Sequence, residues 1–562
     1  MLTRLEDKTF ELLLKGVENP SRYIGGEYNT PHIKEGAKLN FCMCFPDTYE
    51  VGMSNLGIKI LSGMLNQRAD TMCDTAYAPR KDFADNLALL GLPLVSSQLH
   101  APLGSFDILG FGLQYELSIT TVLYMLELAG IPLLASERDE SHPLIIFGGP
   151  VCVNPAPIAA FADIICIGDG EDALTALADK FVAVKEGGRD SFLVQASKIR
   201  GIYVPKLGGK VKRAGVKNLD EAYFPEAVQV PHVEVVHNRA VLELFRGCGR
   251  GCRFCQAGYI YRPVRRRSPQ VLAKQAEKLI QNCGFDELSL SSLSTCDYPY
   301  IGELLSYLKP IADKYKVRIA LPSTRVDSFL SSLASEGRKG SITFAPEAGT
   351  QRLRDVIRKR VSDKDIHNSL ISAYKVGYTG VKLYFMIGLP TETMEDIEGI
   401  VAIVSKAKRL YKEHKANSKP LTIAVSVSLF VPKPFTPFQW EAQDNRESAQ
   451  AKQRYLKDTL RKMGVKCNYH DVNQSQLEAA LCRGDDRLNR VILEAYRNGC
   501  KFDGWTEHFD FDKWLGAFDT AGISLDECLG AIDIDSALPW DIVDIGTSKE
   551  MLIKERTKSR AQ

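Results

Sequence analysis

Strand-like apolar runs alternating with helical periodicity over most of the 562 residues predict an α/β protein. The reading is an N-terminal doubly wound, Rossmann-like domain, a central partial (β/α)6 barrel of TIM type and a mostly helical C-terminal region. Glycines cluster at the ends of the N-terminal strands, where such sheets bind ligands. Six central strands are each followed by a polar loop, as in a barrel whose active groups sit on the loops after its strands. The domains are set at residues 1–225, 226–465 and 466–562.

The elements follow in chain order. Leu39–Phe45 is a short apolar strand ending at Pro46-Asp47, and a helical pattern through Leu56, Ile60 and Leu61 follows it. Phe106–Gly112 is a second strand, leading to a helix around Leu117–Ala129. Pro143–Pro150 and Asp163–Glu171 are the third and fourth, with a helix from about Asp172. A connector of Gly, Pro and charged residues fills about 205–235. Barrel strands are expected at Ala240–Phe245, Glu287–Leu290, Arg318–Leu321, Ser341–Phe344, Gly380–Met386 and Thr422–Phe430. The remainder carries a polar patch at Cys482–Leu488, an aromatic stretch at Phe502–Phe511 and a charged end, from about Lys549, expected to fray.

Composition narrows the function classes. Hydrophobic residues are 45% and charged residues 25%, ordinary globular values that argue against disorder or coiled coil. Lys+Arg is 71 against Asp+Glu 69, a net of +2, which argues against a chain-wide nucleic-acid clamp. No run approaches the roughly 20 apolar residues that span a bilayer. The start lacks the apolar core of a secretory signal, so the chain reads as cytoplasmic. There its 14 cysteines are reduced thiols or metal ligands. Eleven are scattered and read as small buried hydrophobes.

The other three lie in Phe245-Arg-Gly-Cys-Gly-Arg-Gly-Cys-Arg-Phe-Cys-Gln, directly after the first barrel strand. Cys248, Cys252 and Cys255 are spaced C-x3-C-x2-C, close enough for three thiolates to converge on one metal centre. A structural zinc site takes four protein ligands, and no fourth lies near in sequence. Three thiolates on a four-iron cluster leave one iron open. A zinc knob recruiting a distant ligand is the alternative.

The motif, with Phe254 before its last cysteine, resembles the signature of the radical S-adenosylmethionine (SAM) superfamily. The resemblance implies a [4Fe-4S] cluster held by Cys248, Cys252 and Cys255, whose open iron chelates SAM. Reductive cleavage of SAM to a 5′-deoxyadenosyl radical and an electron donor such as flavodoxin or ferredoxin are also implied. Further cofactor-binding residues follow by likeness to the superfamily's SAM-facing segments. Leu290-Ser-Ser-Leu-Ser resembles the loop that receives the SAM amino group, with Ser292 and Ser294 as candidates. Ser323 and Arg325, after the third strand, resemble a polar SAM-facing edge. Glu347, in Phe344-Ala-Pro-Glu-Ala-Gly, resembles the acid of the fourth loop, the alternative being a helix N-terminal acid. Gly388, in Ile387-Gly-Leu-Pro, resembles the segment that packs backbone against adenine. Thr393 with Asp396 reads as a helix cap.

Residues 40 to about 180 resemble the cobalamin-binding domain that precedes the barrel in one radical SAM class, although its Asp-x-His-x-x-Gly motif is absent. Cobalamin is therefore a third implied cofactor, with Gly148, Gly149 and Gly168 letting backbone approach it and Gln114, Tyr115 and Ser118 beside it. Arg262, Arg265, Arg266 and Arg267 form a basic run, read as an anion site for RNA phosphates, a SAM carboxylate clamp or a solvated face. That run and a likeness to radical SAM methylthiotransferases point to RNA among RNA, peptide and metabolite substrates, and to methyl or methylthio transfer. The alternatives from other classes are an iron–sulfur electron carrier or sensor without SAM turnover, and a zinc-stabilised binding module.

Overall fold

The computed structural model describes residues 2, 4–184, 187–320 and 341–561. The N-terminal domain is a six-stranded sheet of order β2-β1-β3-β4-β5-β6. Its strands are β1 Leu39–Phe45, β2 Thr71–Tyr77, β3 Ile108–Gly112, β4 Leu144–Gly148, β5 Ile164–Cys166 and β6 Ile202–Tyr203. All pair in parallel except β6, which runs antiparallel to β5. The near-continuous apolar strands reflect burial of both faces, as a doubly wound sheet requires. Cys42, Cys44, Leu109, Phe111 and Phe147 face one core. Phe41, Met43, Ile108, Ile146 and Ile164 face the other.

Two of these strands were not expected. β2 carries Asp74 in its middle, which interrupts the apolar pattern. The carboxylate is 2% exposed and satisfied by the backbone N–H groups of Thr75 (2.7 Å) and Leu99 (2.9 Å), so a buried acid is tolerated. β6 is only two residues long.

The central region is built from parallel strands on two sheets. β7 Ala240–Glu243, β8 Glu287–Ser291 and β9 Arg318–Ala320 pair in the order β9-β8-β7. β10 Ser341–Glu347, β11 Gly380–Ile387, β12 Thr422–Leu429 and β13 Lys466–Tyr469 pair in the order β10-β11-β12-β13. The expected end of the third barrel strand, Leu321, lies outside the described residues. β13 is an addition: its sequence, Lys-Cys-Asn-Tyr, has no apolar alternation and is mostly exposed. Register with β12 makes it a strand. Val381, Leu383, Phe385 and Ile387 of β11 pack against the surrounding helices. Lys382, Tyr384 and Met386 therefore point to the opposite, inner face.

The C-terminal helices do not stand apart. One continuous core joins the β1–β5 face, through the helix Ile119–Leu128, to Val491, Trp514, Phe518 and Trp540. The charged end is not frayed. It is a helix, Lys549–Arg560, N-capped by Ser548, with Leu552 and Ser559 buried. Among the described residues no helix is long and apolar enough to cross a membrane.

Candidate functional site

The cysteine loop leaves the short strand Phe245–Arg246, which pairs antiparallel with Arg265–Arg266 on its far side. The loop is thus clamped at both ends. Cys252 is buried, and Cys248 and Cys255 are half-buried. The N–H of Cys255 donates to the Cys252 carbonyl (3.2 Å) and that of Gly258 to the Cys255 carbonyl (3.1 Å), which winds the loop into the helix Ala257–Ile260. Burial pushes the Cys255 thiol up to about 11, and the neighbouring Cys252 and Cys248 sulfurs add to the rise. The structure therefore places the three sulfurs within electrostatic reach of one another. It does not draw three metal-ligating side chains into a closed site among the described residues. Neighbouring thiols are the donor set that an iron–sulfur cluster takes, and a metal would supply the charge that keeps them ionised against burial.

Phe254, between two of these cysteines, packs against Met386, Leu389, Phe430 and Phe438 at the ends of β11 and β12. Arg250, inside the motif, reaches the loop after β8, where its Nε donates to Asp297 (2.7 Å). In that loop Ser292 Oγ lies 2.8 Å from Thr295 Oγ1. Ser294 is 7% exposed and its hydroxyl meets no partner among the described residues. An orphaned buried hydroxyl beside the thiol loop is a polar atom awaiting a ligand, and it fits the amino group of SAM. Ser323 and Arg325 lie outside the described residues.

Glu347 ends β10 with φ 71, in the left-handed region, where the β10–β11 register breaks. That conformation is costly for a residue with a side chain and marks sites over-determined by their surroundings. Its carboxylate accepts from Lys359 Nζ (2.8 Å), and the Lys359 charge in turn bears on Cys255. Glu347 is not a helix N-terminal acid, because the following helix, Gln351–Val356, is capped by Thr350. Gly388 has φ 74 and ends β11, its N–H donating to Glu392 (2.8 Å). A Cβ there would meet Leu429 at 2.9 Å and Asp444 at 3.0 Å, so its close approach is to protein. Arg250, Asp297 and Lys359 were missed by sequence reasoning. Only Arg250 carried a signal, sitting between two glycines of the motif.

The arginine run is not a solvated face. Arg265 is ion-paired with Asp169, and Arg267 is fully buried and paired with Glu243 (3.3 Å). Arg262 lies 4.6 Å over the Tyr259 ring, and Arg266 alone is exposed. Arg246 adds Glu171 (2.7 Å) and Glu243 (2.8 Å). This network ties the turn after β5 to the strands flanking the cysteine loop.

In the N-terminal domain a cavity of 140 Å³ opens between the sheet and the helices Leu56–Gln67 and Gly170–Val184. Gly110, Gly112 and Gly148 form its floor, and Gln114 reaches it from the end of β3. Gly149 and Gly168 line it too, and glycine is required at both, since a Cβ would lie 2.2 Å from the Leu113 or Ala214 carbonyl. Tyr115 donates to Glu478 (3.1 Å), and Ser118 to the Tyr115 carbonyl (2.6 Å), so both are engaged within the protein.

The family described as Radical SAM superfamily matches residues 242–404, and the family described as Radical SAM proteins, N-terminal, matches residues 57–205. An uncharacterised protein of Methanocaldococcus jannaschii is 28% identical over 487 residues, 86% of this chain and 97% of that protein. The cytidylyl-2-hydroxyethylphosphonate methyltransferase of Streptomyces wedmorensis is 27% identical over 176 residues, 31% of this chain and 33% of that enzyme. Among solved structures, the radical SAM methyltransferase TsrM of Kitasatospora setae, with cobalamin and a [4Fe-4S] cluster bound, superposes with TM-score 0.49 at 13% identity, over 71% of this chain and 77% of that one.

Proposed function

The chain belongs to the radical SAM superfamily, and on that premise we propose that it is an enzyme that cleaves SAM reductively at a [4Fe-4S] cluster held by Cys248, Cys252 and Cys255. The observation that supports this is that Arg250, through Asp297, ties the three-thiol loop to the loop carrying the orphaned Ser294 hydroxyl, while Lys359 links the strained Glu347 to Cys255. A bound cluster and SAM supply the one-electron reduction and the 5′-deoxyadenosyl radical. The chain's own residues do the rest. Ser294 accepts from the SAM amino group, and Ser292 with Thr295 shapes the loop that presents it. Glu347, held by Lys359, accepts from ribose hydroxyls. Arg250 and Asp297 fix the cysteine loop to the loop after β8. Gly388 forms the tight turn ending β11, and Phe254 walls the site from water. Electrons come from a small carrier such as flavodoxin or ferredoxin.

The outcome we infer is methyl transfer, supported by the partial likeness to the phosphonate methyltransferase, with cobalamin in the N-terminal domain. The 140 Å³ cavity, where Gly112 and Gly148 bring no side chain, supports holding the small nucleotide base of cobalamin there. The arginine run no longer favours RNA, because Arg265 and Arg267 are spent on internal ion pairs; a 23% likeness over 217 residues to a tRNA-2-methylthio-N(6)-dimethylallyladenosine synthase keeps RNA beside a peptide or metabolite as substrate. Anaerobic reconstitution tests the reading. About four irons per chain and release of 5′-deoxyadenosine from SAM under reductant are expected. Iron without SAM turnover would leave an electron carrier. Paramagnetic resonance of cob(II)alamin mixed with the protein tests the second cofactor, the expected spectrum lacking nitrogen splitting from an axial imidazole.

A further inference from the structure

The C-terminal helix reaches the cysteine loop. Glu555 projects from the helix Lys549–Arg560 and is 8% exposed. Its Oε2 accepts from Arg358 Nη1 (2.9 Å) and lies 3.5 Å from Arg253 Nη2. Arg253 is the residue between Cys252 and Phe254, is 3% exposed, and donates to the Val356 carbonyl (2.7 Å) while its N–H donates to Ile357 (2.9 Å). The helix is itself anchored, Arg556 and Arg560 both pairing with Glu441 (2.6 and 3.1 Å). Burial would raise the Glu555 carboxyl, but Lys558, Arg358 and Arg253 together hold it below the usual range.

Cations around the loop have acid partners. Arg250 has Asp297 and Lys359 has Glu347 as counter-charges. Glu555 is an acid partner of both Arg253 and Arg358. We propose that Glu555 is a positioning residue for the cysteine loop, which fixes the backbone between Cys252 and Cys255 through Arg253 and sets the charge felt by a cluster bound there. The second half rests on the iron–sulfur reading; the first does not. Both follow from general rules. A charge-assisted bond to a loop of ligands restrains its opening. One added positive charge beside a cluster stabilises its reduced form and raises its potential.

The test compares Glu555→Gln with Glu555→Asp and with Glu550→Gln, which removes one charge from the exposed first turn of the same helix. In the metal-free full chain, alkylation of Cys252 and Cys255 by iodoacetamide, read by mass spectrometry, should be about tenfold faster in Glu555→Gln and unchanged in Glu550→Gln. In the reconstituted protein, redox titration followed by paramagnetic resonance should show a higher midpoint potential in Glu555→Gln and a value near the parent's in Glu555→Asp, which keeps the charge. Equal alkylation rates in all chains would overturn the positioning role even where no cluster forms. A normal cluster with an unmoved potential would overturn the electrostatic role. A parent chain that takes up no iron would defeat the iron–sulfur reading and the electrostatic role with it, leaving the alkylation result to decide the positioning role.

Discussion

Cys248, Cys252 and Cys255 differ from the other eleven cysteines in kind as well as spacing. Cys42, Cys73 and Cys152 lie in the N-terminal core, where burial pushes their thiols well up, Lys34 offsetting only part of the rise at Cys73. Changing any one of the three loop cysteines to Ala should therefore abolish iron uptake after reconstitution, whereas Cys152→Ala should keep it, as measured by iron and sulfide analysis. Lys59 makes a separate prediction. It is half-buried on the helix Leu56–Gln67, near Cys283 of the barrel, and burial pushes its ammonium from the ordinary 10.5 down to about 8. Between those values the unfolded chain binds more protons than the folded one, so this group's contribution to stability rises with pH there. Lys59→Met should be more stable than the parent below about pH 8, and urea denaturation should show the gap closing toward pH 10.

Elements differ in how much of them the sequence declares. The helix Met394–His414 is written locally: Thr393 and Asp396 form a capping box, with Asp396 Oδ2 accepting from the Thr393 N–H (2.8 Å) and hydroxyl (3.1 Å). The sequence does not declare that Asp396 also binds Thr350 and Arg352, at the cap and in the first turn of the helix Gln351–Val356. Thr393→Ala should cost about 1 kcal/mol, the price of a cap. Asp396→Ala should cost about 2 kcal/mol or more, because buried partners lose their acceptor as well. Urea midpoints at unchanged slope would measure both. Those bonds hold the Asp396 carboxyl below its ordinary range despite burial. The difference between parent and variant is present above about pH 4 and should shrink as pH falls below it. The elements that escaped the sequence share one cause: tertiary contacts override local pattern. Register with β12 makes Lys466–Tyr469 a strand, backbone donors excuse Asp74 in β2, and Glu555 pins a terminal helix whose composition reads as frayed. The C-x3-C-x2-C loop was legible because its chemistry is local in the chain, whereas the Glu347–Lys359 pair depends on a left-handed residue that no pattern marks.

Across the whole molecule the decisive feature is a buried charge cluster joining three segments far apart in sequence. Lys433, from the loop after β12, places Nζ 2.6 Å from Glu116, at the end of β3, and 2.8 Å from Glu478, on the helix Val472–Arg483. Burial opposes the ammonium, but the two carboxylates more than offset it and hold the Lys433 charge firmly. A few residues away Gln256, next to Cys255, lies 3.4 Å from the Pro434 carbonyl, so the same loop links the cluster motif to the N-terminal sheet. Lys433→Met would strand two carboxylates in the interior, and losing one member of a buried ion pair costs about 3–5 kcal/mol. Restoring neutrality with Glu116→Gln and Glu478→Gln in the same chain should recover most of it, since the loss is the stranded charge and not the missing amine. Because Trp514 and Trp540 lie in the core shared with β1–β5, their fluorescence should change at the same urea concentration as far-ultraviolet circular dichroism, in the parent and in both variants. Separate transitions in the parent would mean that the C-terminal helices fold independently of the sheet and that the cluster joins bodies already formed.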